Sequence, residues 1–161
     1  MPPPYGEVLD AYRRSREGPR ETPAHITLVP PTPVGDDDWD ALPGQLRSVA
    51  GRHAPFPVRL RGTGTFRPVS PVVFVVVVDG ISGCEQLEAA LRVGPLSSRR
   101  HFPYHPHVTI AHGVDDETME RALRDHADFA ADFVVEDFVL FRSDNERWQA
   151  VHRFPLGGGA P

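Results

Sequence analysis

Ala24-His25-Ile26-Thr27-Leu28 and Pro106-His107-Val108-Thr109-Ile110 are the two stretches whose reading decides the fold. Each sets a histidine two residues before a threonine, with one aliphatic residue between them and another after. In an extended chain successive side chains alternate between faces. Each His–Thr pair therefore shares one side, and Ile26/Leu28 or Val108/Ile110 take the other. The aliphatic side suits a core, which leaves an imidazole and a hydroxyl on the open side. A histidine with Ser or Thr two positions later is common, and about one match is expected by chance at average composition. Aliphatic residues of opposite parity around it, found twice, bring the chance expectation down to roughly a few per cent.

Working outward, Gly6 to Glu17 predicts a helix with Val8, Leu9 and Tyr12 on one stripe. The first His strand is expected over Ala24 to Val29, stopped by Pro30, Pro31 and Pro33. Asp36-Asp37-Asp38 places negative charge at the start of a helix running to His53; a solvated cap explains the triplet better than a metal site does. Phe56 to Phe66 and Val72 to Val78 predict two strands, and Ser82 to Val93 a helix with Leu87, Ala90 and Leu91 inward. The second His strand is expected over His107 to Ala111, and a helix over Asp116 to Phe129. Phe133 to Arg142 and Arg147 to Phe154 predict a closing hairpin around Ser143-Asp144-Asn145-Glu146. The fold class is α+β, in two halves with one His–Thr strand each. Residues 1–156 are expected to form one bilobal domain, and 157–161, the Gly-rich end, a disordered tail.

Composition narrows the possibilities. A chain of 161 residues, 40% hydrophobic and 24% charged, is globular and long enough for a proper core. Its longest apolar run, Val72 to Val78, is far too short to span a bilayer, and no charged-then-apolar leader opens the sequence. The expected location is the cytoplasm. The single cysteine, Cys84, excludes an intrachain disulfide and any Cys-rich metal site, and fits a small residue at a helix start. A formal net charge of −5 argues against a broad grip on duplex DNA. All 17 basic residues are arginine, so lysine Schiff-base chemistry and a P-loop lysine are excluded.

Further residues extend the pattern: Pro23 and Val29-Pro30-Pro31 flank the first motif, and Gly62-Thr63-Gly64-Thr65-Phe66 precedes the Val-rich strand. Pro103-Tyr104-His105 leads into the second motif, Ala111-His112 follows it, and Phe154-Pro155-Leu156 closes the chain. In these features the sequence resembles the two-histidine (2H) phosphoesterase superfamily, and within it the bacterial 2'-5' RNA ligase-like proteins. The resemblance covers nearly the whole chain. It implies two α/β lobes of antiparallel sheet plus helices, related by an approximate two-fold axis, with one His-x-Thr strand from each lobe facing a central cleft. Such proteins usually begin with a β-strand leading into the first helix, whereas this sequence opens at Met1-Pro2-Pro3-Pro4-Tyr5.

The resemblance also implies metal-independent chemistry on RNA 2',3'-cyclic phosphate ends or 2'-5' linkages, by a monomer without a cofactor or a membrane partner. His25 and His107 would be the acid–base pair, and Thr27 and Thr109 would bind the phosphate oxygens. Imidazole, with an ordinary pKa near 6.5, serves as acid or base near neutrality; analogy with comparable enzymes favours His25 as acid and His107 as base. Phe66, Arg67, Tyr104 and His105 are possible substrate contacts, as are Arg99 and Arg100, while His112, of opposite parity, is structural. Three other readings stand beside this one. In one, His105, His107 and His25 are zinc ligands, although no acidic residue lies in either motif and the threonines would go unexplained. The chain could instead be a non-catalytic nucleotide-binding module. Or it could cleave another nucleotide, such as an ADP-ribose cyclic phosphate or a 2'-5' oligoadenylate.

Overall fold

The computed structural model describes residues 1–17, 22–97, 102–144 and 147–157. Four α-helices are present among them: α1 (Tyr5–Glu17), α2 (Asp36–Gly51), α3 (Ile81–Leu91) and α4 (Asp116–Asp125). The strands are β1 (Phe56–Thr65), β2 (Val72–Asp79), β3 (His107–His112), β4 (Ala130–Val135), β5 (Asp137–Asp144) and β6 (Arg147–Pro155). They form a four-stranded sheet of order β3-β2-β1-β4 and a two-stranded sheet, β5-β6. The expected α+β class is the observed one. The chain divides into two compact units: Met1–Thr27, Val58–Asp79 and Pro106–Phe133 form the first, and Leu28–Pro57, Gly80–His105 and Val134–Pro161 the second.

In the first unit β2 pairs antiparallel with both β1 and β3. Its run of valines lacks polar alternation: Val73, Val75 and Val77 give one face wholly to the core, and on the other Phe74 is buried, Val72 and Val76 are half-buried and Val78 is exposed. Helix α1 packs on β3, and α4 on β2 and β3. Leu9, Val75, Val108, Ile110, Met119 and Ala122 belong to the buried core. The buried stripe of α1 departs from expectation: Val8 is 52% exposed, whereas Arg13 is only 3% exposed. An ion pair with Asp10 makes that burial tolerable.

Helix α4 is set by its cap, the Asp115 carboxylate accepting from Thr118 N at 2.8 Å, with Asp116 and Glu117 in the first turn. It stops at Asp125 and not at Phe129: the amides of Ala127 and Phe129 donate only three residues back, to Arg124 and His126, and the Phe129 carbonyl accepts from Gly62 N (2.9 Å). Gly62 has φ +63°, in the left-handed region that favours glycine.

The first His segment also departs from expectation. Over 24–29 there is no continuous strand, only one antiparallel bridge, Ile26 to Val108. Pro23 and Pro30 have no N–H to give to a ladder, and the polar backbone groups of Ala24 are taken elsewhere: its N–H donates to Asp10 and its carbonyl accepts from Met1 N. The expectation of one His–Thr motif per lobe is corrected too. Both motifs lie in the first unit, and this bridge joins them.

The second unit packs α2 and α3 with the β5-β6 hairpin around Leu42, Leu46, Val49, Leu87, Leu91, Phe138 and Phe154. The Phe138 and Phe154 rings stack at 5.2 Å. Cys84 is buried near the start of α3. The single strand expected over Phe133 to Arg142 is broken at Glu136, whose carbonyl turns to accept from Leu156 N at 2.7 Å. Gly157 N donates to Ala50 O. The tip of the closing hairpin, 145–146, and the last four residues lie outside the described residues.

Candidate functional site

Strand β3 realises the sequence alternation residue by residue: His107 and Thr109 are half-buried, and Val108 and Ile110 are fully buried. The antiparallel bridge sets the register with the first motif. With Ile26 opposite Val108, His25 stands level with Thr109 and Thr27 level with His107. Residues flanking a paired residue point to the opposite face from it. The two imidazoles and two hydroxyls therefore share a face, opposite the one Val108 gives to the core. His25 and His107 are diagonal to each other, a relation that spaces residues on one face by roughly 7–8 Å.

The neighbouring strands extend this face. Phe74 is opposite Thr109 and Val76 opposite His107, while Gly64 on β1 is opposite Phe74. The ring of Phe74 lies 5.1 Å from that of His107. Phe66, just beyond the end of β1, meets the His107 ring in a T-shaped contact at 5.0 Å and the Phe74 ring at 4.4 Å. His107 thus has an aromatic wall on the β1–β2 side.

His25 is held differently. Its Nδ1 lies 2.7 Å from the Pro23 carbonyl. A carbonyl only accepts, so Nδ1 carries the proton of the neutral ring. Burial pushes the His25 pKa below its ordinary value, and the charges of Arg13 and the amino terminus add to that; the Pro23 hydrogen bond and Asp10 act the other way.

The other expected contacts are placed as follows. Arg67 faces α4, where its guanidinium pairs with Glu120 and, at 3.4 Å, with Asp116. Tyr104 and His105 belong to the second unit. Tyr104 is half-buried, and its hydroxyl pKa is raised well above the ordinary value by burial and by Cys84, Glu88 and Glu85; His105 is exposed. His112 is exposed. Arg99 and Arg100 lie outside the described residues. Among the described residues no group of three or more His, Cys, Asp or Glu side chains is arranged to hold a metal ion. Nor is any described helix long and apolar enough to cross a membrane.

Three residues at this site escaped the sequence reading: Asp10, Arg13 and Phe74. Phe74 carried a signal, as the one aromatic in a run of valines. Gly64 was quoted as part of the pattern, and its position two residues before Phe66 puts it on the same side of β1.

The chain belongs to the 2'-5' RNA ligase superfamily, whose family model matches residues 1–147. A Bacillus cytotoxicus protein provisionally named a phosphoesterase is 27% identical over 148 residues, covering 86% of this chain and 81% of the relative. A Bacillus cereus protein of the same provisional name is 26% identical over 147 residues, covering 85% and 81%. Among solved structures, Escherichia coli LigT complexed with ATP superposes with a TM-score of 0.68 at 23% identity, covering 97% of this chain and 93% of that one. A Thermus thermophilus protein gives 0.65 at 22% identity, covering 99% and 96%. The α+β fold of this chain is theirs.

Proposed function

We propose that this protein is a metal-independent phosphodiesterase acting on RNA 2',3'-cyclic phosphate ends or 2'-5' phosphodiester linkages, with His25 and His107 as its acid–base pair. The observation that carries this reading is the Ile26–Val108 bridge, whose register sets two imidazoles and two hydroxyls on one face. The solved complexes of Escherichia coli LigT with 3'-AMP, NADP+ and ATP support a small nucleotide as the occupant.

In hydrolysis of the cyclic ester, water attacks phosphorus and gives a proton to one imidazole. The bond from phosphorus to a ribose oxygen breaks, and the other imidazole, as imidazolium, protonates that oxygen. Each transfer is typically worth about 10²- to 10⁴-fold. Thr27 and Thr109 donate hydrogen bonds to the non-bridging oxygens as charge builds there. The surroundings of His25 favour the opposite assignment to the one that analogy gives. Burial, Arg13 and the amino terminus disfavour its charged form, against the Pro23 hydrogen bond and Asp10, and on that balance we take His25 as the base and His107 as the acid.

Single-turnover hydrolysis of adenosine 2',3'-cyclic phosphate, with EDTA present, tests this reading. Wild type turns over, and His25→Ala and His107→Ala are each slowed at least 100-fold. Three equally inert proteins that still bind the nucleotide would make the chain a binding module. Cleavage only of an ADP-ribose cyclic phosphate or a 2'-5' oligoadenylate would keep the chemistry and move the substrate. Activity lost to EDTA and restored by zinc would favour a metal site instead.

A further inference from the structure

Ala24, the residue before His25, is gripped at both backbone polar groups. Its N–H donates to Asp10 Oδ1 at 2.7 Å, and its carbonyl accepts from Met1 N at 3.0 Å. The same Asp10 oxygen accepts from Arg13 Nη1 at 3.0 Å. Arg13 is almost wholly buried, and its Nε has no hydrogen-bond partner among the described residues. A buried ion pair with a donor left over is a poor way to stabilise a helix packed on a sheet; apolar residues of like volume often serve as well or better. The pair is better explained by what it holds.

The first His–Thr segment needs holding. It has one ladder contact, at Ile26, whereas β3 is paired along its whole length with β2. His25 lies one residue before that bridge, and its ring is tied to Pro23, two residues before it. An uncontrolled Ala24 would leave both the imidazole and its carbonyl acceptor free to turn. We propose that Asp10, fixed by Arg13, is a positioning residue: by holding the Ala24 N–H it keeps the Pro23 carbonyl under His25 Nδ1 and so aims Nε2 at the reacting phosphate. This rests on the reading of His25 as a catalytic residue. Arg13, Asp10 and the amino terminus are among the charged groups acting on His25.

Groups that orient a reactive imidazole through its second nitrogen typically matter 10- to 100-fold. Kinetics on adenosine 2',3'-cyclic phosphate combined with imidazole ¹⁵N spectra test the idea. In wild type, above the His25 pKa, the spectra show the Nδ1–H tautomer, and the Ala24 amide exchanges slowly. Asp10→Ala lowers kcat 10- to 100-fold with KM within about two-fold, and the Nε2–H tautomer appears. Asp10→Asn keeps an oxygen for the Ala24 N–H and stays within about five-fold of wild type. Glu7→Ala, exposed on the same helix, changes neither measurement. An Nε2–H tautomer in wild type would overturn the proposal even if Asp10→Ala failed to fold. So would a folded Asp10→Ala with unchanged kcat and tautomer. If His25→Ala were as active as wild type, the catalytic reading itself would fall, and the tautomer and exchange data would still report whether Asp10 holds the segment.

Discussion

A Cβ atom built on Gly64 would lie 2.9 Å from the ring of Phe74, closer than real side chains approach. The bare backbone of β1 at this point is what lets that ring lie across the sheet and reach His107. Gly64→Ala is therefore an overpacking substitution, of a kind that typically costs about 1–3 kcal/mol. Because the displaced ring belongs to the wall beside His107, turnover should fall as well, and by more than the loss of stability alone accounts for. Urea melts and kcat on the same preparation check this. Phe74→Leu combined with Gly64→Ala should recover stability without recovering rate, since the space is freed but the aromatic contact is not rebuilt.

Two histidines make the fold sensitive to mild acid. Burial holds His126 below the ordinary pKa, as it does His25. Above the unfolded value of about 6.5, each is neutral in both states and contributes nothing to the pH dependence. Below it the unfolded chain takes up protons that the folded one refuses, so stability falls as pH falls, by at most about 1.4 kcal/mol per pH unit for each histidine. Melting between pH 7.5 and 5 should show this loss, and His126→Gln should make the slope shallower. A slope unaffected by that substitution would mean that His126 titrates alike in both states.

How much of this was legible in the sequence depended on the range of the forces involved. The face of β3 was readable at Val108 and Ile110, because a two-residue period is a local property of extended backbone. The first motif has the same period, but its backbone is claimed by Asp10 and Met1, from a helix and a terminus that no local pattern connects to it. For the same reason α1 was given an apolar stripe through Val8, when its buried side is completed by a charged pair. The early end of α4 comes with Phe129 meeting Gly62, a long-range contact that no local pattern announces. The separation of the motifs in the sequence suggested separate lobes, but strand pairing is blind to sequence distance, and the bridge at Ile26 brought both into one unit.

Arg67 provides a test of the site's limits. As a cation at the end of β1 it is a natural phosphate contact, yet its guanidinium is engaged by Asp116 and Glu120. Such partly exposed pairs contribute little to stability, about 0–1 kcal/mol. They do neutralise the charge a phosphate would use. Arg67→Ala should leave KM for adenosine 2',3'-cyclic phosphate within about three-fold and lower the melting temperature only slightly. A tenfold or larger rise in KM would show that the guanidinium leaves α4 for the substrate.

The proposed division of labour between the imidazoles can be tested with the leaving group. A general acid matters when the departing oxygen is a strong base, as a ribose alkoxide is, and hardly matters when it is a nitrophenolate. With His107 as the acid, His107→Ala should be slowed far less on a p-nitrophenyl phosphodiester than on a cyclic ribose phosphate, by at least tenfold between the two substrates. His25→Ala, lacking the base that takes the proton from water, should be slowed about equally on both. In wild type the acidic limb of kcat/KM should then fall below pH 6.5, because the base is the histidine whose pKa burial and Arg13 lower. The opposite pattern, with His25→Ala rescued by the better leaving group, would return the acid role to His25 and mean that a bound phosphate outweighs those charges.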